Sequence, residues 1–528
     1  MTAALRLVRD SFSPSRQSLL SPALDTLMMG GASIVFYLLW LYCFPYASYA
    51  EDARQMVPVA AALLFYVFNT AHVAASYRIA YGGFWRRVLP AGEESAGMTA
   101  RYLWMGVVAP ILLLGYMVFA FLHERQAAMQ YLGYLFAFMF FIVGWHYIKQ
   151  VYGCIVVTSA LRKIYYGRAE RFALLLALYA IWIATFSASN LGEGLRMREY
   201  LDVPYPHLNL DALSQSLFGT AHISLPALFF YGPRSLTVNI VSLCYHFTVF
   251  STAAWAVYVL AGKFIREGKR PPAAAVAAFV SIYLWLVPVF YEPYLVYLLV
   301  FFHSLQYLPF VLARERNASL AAMRREGQGP LDMEREDRVA ARQVNRQVLW
   351  AMVLVPCLLV AGASSGLFGV AVPDRITEEG VATLSGLLGI ASSLAGYLDA
   401  GIPGLVSPLA VAAVVTLAAW ALYPLGRGLL ARQHPAARRV CGSFLWAVAL
   451  GFTAYYGLPV LLGYVVPLEQ YSGWLFLSLF HVFLNIHHYI IDNVIWKKGN
   501  RPVVHYLFST RRLDAPPARV SSLRYAHG

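Results

Sequence analysis

The sequence predicts an all-α fold, a polytopic transmembrane helical bundle of about twelve spans with both termini cytoplasmic. Three observations carry this. Charged residues make up 13% of the 528 and hydrophobic residues 59%, whereas soluble chains carry about 25% charged residues, so most of the surface must lie out of water. Apolar runs such as 101–122, 346–371 and 440–466 are each long enough for a ~30 Å hydrocarbon core, and in lipid such runs must be helices because their backbone groups can pair only within the segment. Basic residues gather beside every second loop, as orientation in a membrane requires.

Taken in order, the apolar runs place helices at about 23–44, 56–81, 101–122, 127–159, 170–190, 236–262, 272–290, 291–312, 346–371, 404–425, 440–466 and 469–497. Arg6, Arg9 and Arg16 precede the first. Arg78, Arg86, Arg87 and Arg101 follow the second, and Arg162, Lys163, Arg168 and Arg171 the fourth. Lys263, Arg266, Lys269 and Arg270 follow the sixth, and a basic stretch from Arg314 to Arg346 the eighth. Arg427, Arg432, Arg438 and Arg439 follow the tenth, and Lys497, Lys498 and Arg501 the twelfth. The loops between are short or mixed in charge, which supports an even number of spans. The Gly/Ser-rich run 381–398 is the one ambiguous segment, either re-entrant or an extra span.

The chain therefore divides into an N-terminal cytoplasmic segment (1–22), a first membrane half (23–312) with an external loop at 191–235, a charged cytoplasmic loop (313–345), a second half (346–498) and a tail (499–528). The loop 313–345 reads as a solvated helical hairpin, and the apolar stretch 217–231 as a segment at the membrane interface. No cleavable signal peptide is visible, since the N-terminus is polar and basic up to Leu20 and the first apolar run exceeds an h-region. The net charge of +14 is explained by orientation rather than by nucleic acid. The five cysteines all fall in apolar runs without metal-site spacing, which marks them as packing residues. A multi-pass protein of a bacterial inner membrane is the expected setting.

The candidate chemistry lies in the histidines. Seven of the 13 fall within spans: His72, His146, His246, His303, His481, His487 and His488. All are on even-numbered helices. Ionisable groups inside a membrane are costly, so they face a bundle interior and mark function. At ~1.5 Å per residue, His72, His303, His487 and His488 share a layer near the cytoplasmic charges. His481, His146 and His246 form a deeper one, unless Lys149 marks the end of the fourth span, in which case His146 joins the first layer. The twelfth helix is densest: His481, Asn485, His488 and Asp492 recur at i, i+4, i+7 and i+11, on one face, with His487 about 100° away. Each histidine has a polar neighbour within a turn, as in Asn69-Thr-Ala-His72 and His303-Ser304-Leu-Gln306-Tyr307. Such neighbours fix the tautomer of a metal ligand or satisfy a structural histidine.

The pair His487-His488, with His481 upstream, resembles the closing histidine box of integral-membrane di-iron hydroxylases and desaturases, H-x2-3-H-H. Here His481 stands further from the pair, and the usual eight box histidines are not met. The pair also resembles that of haem–copper oxidase catalytic subunits, which are similar in length and have twelve helices. Their H-x-H and His-Pro-Glu-Val-Tyr stretches are missing here, so no axial ligand carries over. The first resemblance implies non-haem iron, possibly dinuclear, with haem or another transition metal as the alternative.

The resulting expectation is a membrane-embedded, histidine-ligated metal oxidoreductase acting on a lipid or other apolar substrate, with an electron donor on the cytoplasmic side and no nucleic acid. His72, His303, His487 and His488 lead as ligands, then His146, His481 and His246. Asp492 and Asn485 would ligate or orient, and Lys149 would balance charge. The competing readings are a proton-coupled transporter with the histidines as its relay, a haem-binding electron-transfer subunit, and purely structural histidines.

Overall fold

A computed structural model describes residues 11–15, 17–42, 64–88, 96–188, 199–200, 203–205, 221–225, 234–238, 240–286, 295–325, 333–364, 408–466, 471, 475–497 and 499–508. The run 381–398 lies outside them. Helices stand at each of the twelve places where the sequence predicts one. Pro22–Thr26, Leu27–Gly31 and Ala32–Tyr42 run on as α1; Phe65–Asn69 and Thr70–Tyr81 as α2; Ala96–Leu103, Trp104–Val108 and Ala109–Phe121 as α3. Then come α4 (Arg125–Leu161), α5 (Arg168–Ala188), α6 (Ile240–Glu267), α7 (Ala273–Leu286), α8 (Leu295–Arg325), α9 (Met333–Ser364) and α10 (Pro408–Leu429). Pro435–Phe452, Thr453–Gly457 and Leu458–Val465 form α11, Leu475–Ile495 is α12, and a short α13 (Arg501–Phe508) follows.

Among the described residues, seven helices are long and apolar enough to cross a membrane. Their outward faces carry large apolar side chains, as at Ile111, Leu112, Leu114 and Val118 on α3 or Phe247 and Tyr258 on α6. Water would disfavour such a surface; lipid tails do not. In α12 the balance reverses: 61% of its apolar window is buried, against 17–44% in the other six. This makes α12 the central helix. It packs against α2, α3, α4 and α11; α8 packs against α1 and α11 and also touches α2 and α4; α7 fills the space between α1 and α4. The α5–α6 pair stands at the periphery on α4, and α10 on α11.

Among the described residues, four π-type turns interrupt the helices, at Leu27–Gly31, Phe65–Asn69, Trp104–Val108 and Thr453–Gly457. Such turns arise where the ladder of hydrogen bonds slips by a residue, and they recur at functional sites. Proline supplies part of the cause in α3. Pro110 has no N–H to give the Gly106 carbonyl, which takes the Tyr81 hydroxyl instead, at 3.3 Å. In α1 the cause is close approach. Gly30 has φ of 151°, and a Cβ there would run into the Ala277 carbonyl of α7.

Among the described residues two short antiparallel ladders pair β1 (Glu199–Tyr200) with β2 (Val203–Pro204), and β3 (Ala221–Leu225) with β4 (Arg234–Val238); β4 takes residues 236–238 from the run predicted as helix, and α6 starts at Ile240. Part of the expected interfacial stretch 217–231 is thus a strand, with Ile223 opposite Leu236.

The described parts of the loop 313–345 are helical, as α8 continues to Arg325 and α9 begins at Met333, but they are not solvated all round. Arg316, Asn317 and Asn345 are buried. Arg316 donates to the Leu19 carbonyl at 3.1 Å, Asn345 to that of Leu20 at 3.1 Å, and Asn317 to that of Tyr506 at 2.6 Å. These partners are backbone carbonyls of a non-helical segment and of α13, which no periodicity in the loop reveals. The buried Asp25 completes the clamp by accepting from the Leu19 and Leu20 amides at 2.7 and 3.0 Å.

Candidate metal centre

Four buried groups from three helices converge on one point. His72 (α2), His146 (α4), and His488 and Asp492 (α12) each offer a ligand atom, and these atoms lie within 4.8 Å of one another. One carboxylate oxygen, Asp492 Oδ2, is 3.6 Å from His72 Nε2, 3.9 Å from His146 Nε2 and 3.6 Å from His488 Nε2. A tetrahedral ion with arms of ~2.1 Å has edges of ~3.4 Å. The three edges to Asp492 exceed that by a few tenths of an ångström, while the donors as a set spread over as much as 4.8 Å, so a cation fits once the rings close in on it.

The hydrogen bonding around the group fits a cation as well. His72 Nε2 and both ring nitrogens of His488 are buried without a hydrogen-bond partner among the described residues. Leaving a buried polar atom unsatisfied costs about 1–3 kcal/mol, which a bound cation would relieve. His72 Nδ1 lies 3.4 Å from Ser304 Oγ, which itself donates to the Val300 carbonyl at 2.8 Å. The serine therefore has a lone pair for an Nδ1–H, and the lone pair of Nε2 is turned to the centre.

Asp492 is held from behind. Its Oδ1 accepts the Tyr307 hydroxyl at 3.2 Å. That hydroxyl also lies 2.6 Å from Ser76 Oγ and accepts from Trp496 Nε1 at 3.1 Å. The Tyr307 ring packs on His72 with centroids 4.0 Å apart. Partners of this kind orient ligands and tune their basicity.

His303 borders the group. Its Nε2 lies 3.0 Å from His146 Nε2. Two imidazole nitrogens that close either share one proton or bind one cation, since adjacent ligands at ~2.1 Å in an octahedral site lie ~3.0 Å apart. The His72 and His303 ring centroids are 5.1 Å apart.

The other candidates stand elsewhere. Both nitrogens of His487 are engaged: Nε2 lies 2.8 Å from the Met105 carbonyl and Nδ1 2.7 Å from the Tyr77 hydroxyl. A carbonyl only accepts, so Nε2 carries the proton and Nδ1 accepts from tyrosine; no lone pair is left for a metal. His481 shares a helix face with His488 but sits two turns away, edge-on to Tyr455 at 5.0 Å. Asn485 donates to the His481 carbonyl at 2.9 Å and accepts from Tyr455 at 3.3 Å. His246 stacks on Phe250 in the peripheral α6. Lys149 lies over the Tyr179 ring of α5 at 5.9 Å. Beyond α12, burial and then the charges of Lys149 and Arg101 hold the Lys497 ammonium below the usual lysine range.

His146 joins the layer of His72 and His488 rather than the deeper one. The helix α4 has 37 residues, or ~55 Å, more than a ~30 Å core, so the residue that follows its end, Arg162, is a poor depth marker. Sequence reasoning missed Trp496 entirely. The available signal was its position one turn after Asp492, on the same face. Tyr307 is offered by the sequence only as a neighbour of His303, and its bond across to α12 is a tertiary fact.

No known protein family, curated protein or solved structure matches this chain, so its likenesses end with the geometry of the centre itself.

Proposed function

We propose that this protein is a membrane-embedded metal oxidoreductase of the hydroxylase or desaturase class, acting on a membrane lipid or other apolar molecule. The observation that supports it is Asp492 Oδ2 facing three imidazole Nε2 atoms at 3.6–3.9 Å in a fully buried site. The metal proposed is non-haem iron, because imidazoles with one carboxylate and room for further ligands suit Fe(II). A single ion is favoured over a pair, since the described residues hold one group of this kind. A haem leaves its iron only the axial positions for protein ligands, whereas four donors from three helices converge on one point here.

Bound there, iron would supply the one-electron and O₂ chemistry. The chain's own part is to hold and tune it. Asp492 lowers the net charge of the site, Tyr307, itself held by Trp496, holds Asp492, and Ser304 sets the tautomer of His72. His303 can hold a proton against His146 or complete the coordination. The surrounding apolar helices exclude water. The setting proposed is a bacterial inner membrane, with twelve spans, both termini cytoplasmic and an electron donor on that side.

The test is elemental analysis with an optical spectrum of wild-type protein purified without chelator. Stoichiometric iron without a Soret band supports the reading; a Soret band would replace it with a haem protein. Absence of any metal would sink it. The close His146–His303 pair would then favour a proton-coupled transporter, with the same histidines as its relay.

A further inference from the structure

A cleft of about 520 Å³ opens among α2, α8, α10 and α11, at the end of the bundle where the arginines gather. Three arginines line it, Arg78, Arg438 and Arg439, against one acidic residue, Glu315. That carboxylate is already shared, since Arg78 and Arg314 both pair with it. Arg439 is exposed and has no acidic partner among the described residues. Ser319 and Ser443 add hydroxyls to the lining. The cleft is therefore a concave, donor-rich pocket with excess positive charge.

A narrow apolar crevice of about 20 Å³, too small for an acyl chain, adjoins it and shares Arg78, Glu315 and Ser443 with it. The crevice is walled by Ala71 and Ala75 of α2, Leu308 and Val311 of α8, and Phe444 and Ala447 of α11. It follows α2 away from the charges toward the middle of the bundle. Arg78 and His72 are six residues apart on α2, a rise of ~9 Å, so the cleft lies a short reach from the metal centre.

We propose that the cleft binds the phosphate group of an anionic lipid, with the lipid chain leaving past Tyr423 of α10 and Trp446 of α11, which line the same cleft. Guanidinium forks match phosphate oxygens two at a time, and basic pockets between membrane helices take lipid head groups. A soluble anion would use the arginines but not the apolar faces of Tyr423 and Trp446. As the identity of the substrate, the lipid phosphate rests on the metal-centre reading; as a binding site it does not.

The experiment uses the full chain in detergent micelles, with dioctanoyl phosphatidate, dioctanoyl phosphatidylcholine and inorganic phosphate as probes, read by native mass spectrometry and calorimetry. The wild type should bind one phosphatidate at least ~10-fold more tightly than the zwitterionic lipid or inorganic phosphate. Arg439→Gln should weaken phosphatidate ~10-fold, about the loss of one charge-assisted contact. Ser443→Leu, which fills the cleft mouth, should do the same without changing charge. Equal affinity for inorganic phosphate would make the ligand a free anion and overturn the lipid assignment. Equal affinity for phosphatidylcholine, or phosphatidate binding indifferent to both substitutions, would overturn the site. Metal content measured on the same samples should be unchanged in both variants, so failure of this site and failure of the metal centre are read separately.

Discussion

Tyr307 on α8 donates its hydroxyl to Asp492 Oδ1 on α12 at 3.2 Å, and this bond divides the labour of the carboxylate. One oxygen is tied to the tyrosine, and the other faces His72, His146 and His488. A carboxylate so held keeps a fixed lone-pair direction toward the centre, which a freely rotating one would not.

Removing that bond should loosen the metal without removing a ligand. Tyr307→Phe keeps the ring against His72 and deletes the hydroxyl. Loss of such an outer partner costs ~10–100-fold in metal affinity or activity. Asp492→Asn should fall in the same range or below it, because the charge goes as well. Competition with a chelator of known affinity measures both. Wild-type affinity in Tyr307→Phe would show that the tyrosine does not orient the centre.

Adjacent residues on α12 should behave oppositely. His488→Ala removes a ring whose Nε2 faces the centre, so bound metal should drop below stoichiometry. His487→Gln breaks the contacts to Tyr77 and Met105 and should destabilise the fold by about 1–3 kcal/mol with metal content intact. Metal content and melting midpoint, measured on both proteins, separate the two roles. Equal loss of metal in the two would reject the distinction.

Packing at Gly30 makes a prediction independent of any metal. A side chain there meets both a backbone angle of 151° and the Ala277 carbonyl. Gly30→Ala should cost of the order of 1–3 kcal/mol, seen as a lower melting midpoint in detergent. A neighbouring control, Gly115→Ala, has nothing within reach of the new methyl and should be neutral or slightly stabilising, as alanine favours a helix by up to ~1 kcal/mol.

Orientation follows from the basic loops. Reporter fusions after Gly499 and within 206–220 should report opposite sides of the membrane, the former cytoplasmic. Reports from the same side would remove a span from the proposed twelve and reverse the side on which the arginine cleft opens.

By itself the sequence determined the class of the protein and the helix that matters most. Apolar runs long enough for a membrane allow only helices, because the backbone must satisfy itself locally in lipid. The i, i+4, i+7, i+11 spacing of His481, Asn485, His488 and Asp492 put them on one face, because that periodicity is local geometry. Tertiary structure decided which members of that face act together. His488 and Asp492 meet His72 and His146 only because α2 and α4 pack on α12 at that level, and His481 lies two turns too far along. It also decided between His487 and His488, neighbours alike in composition. One finds a carbonyl and a tyrosine hydroxyl for its two nitrogens, and the other finds none. Local pattern carries the direction of a side chain, but what that side chain meets depends on residues hundreds of positions away.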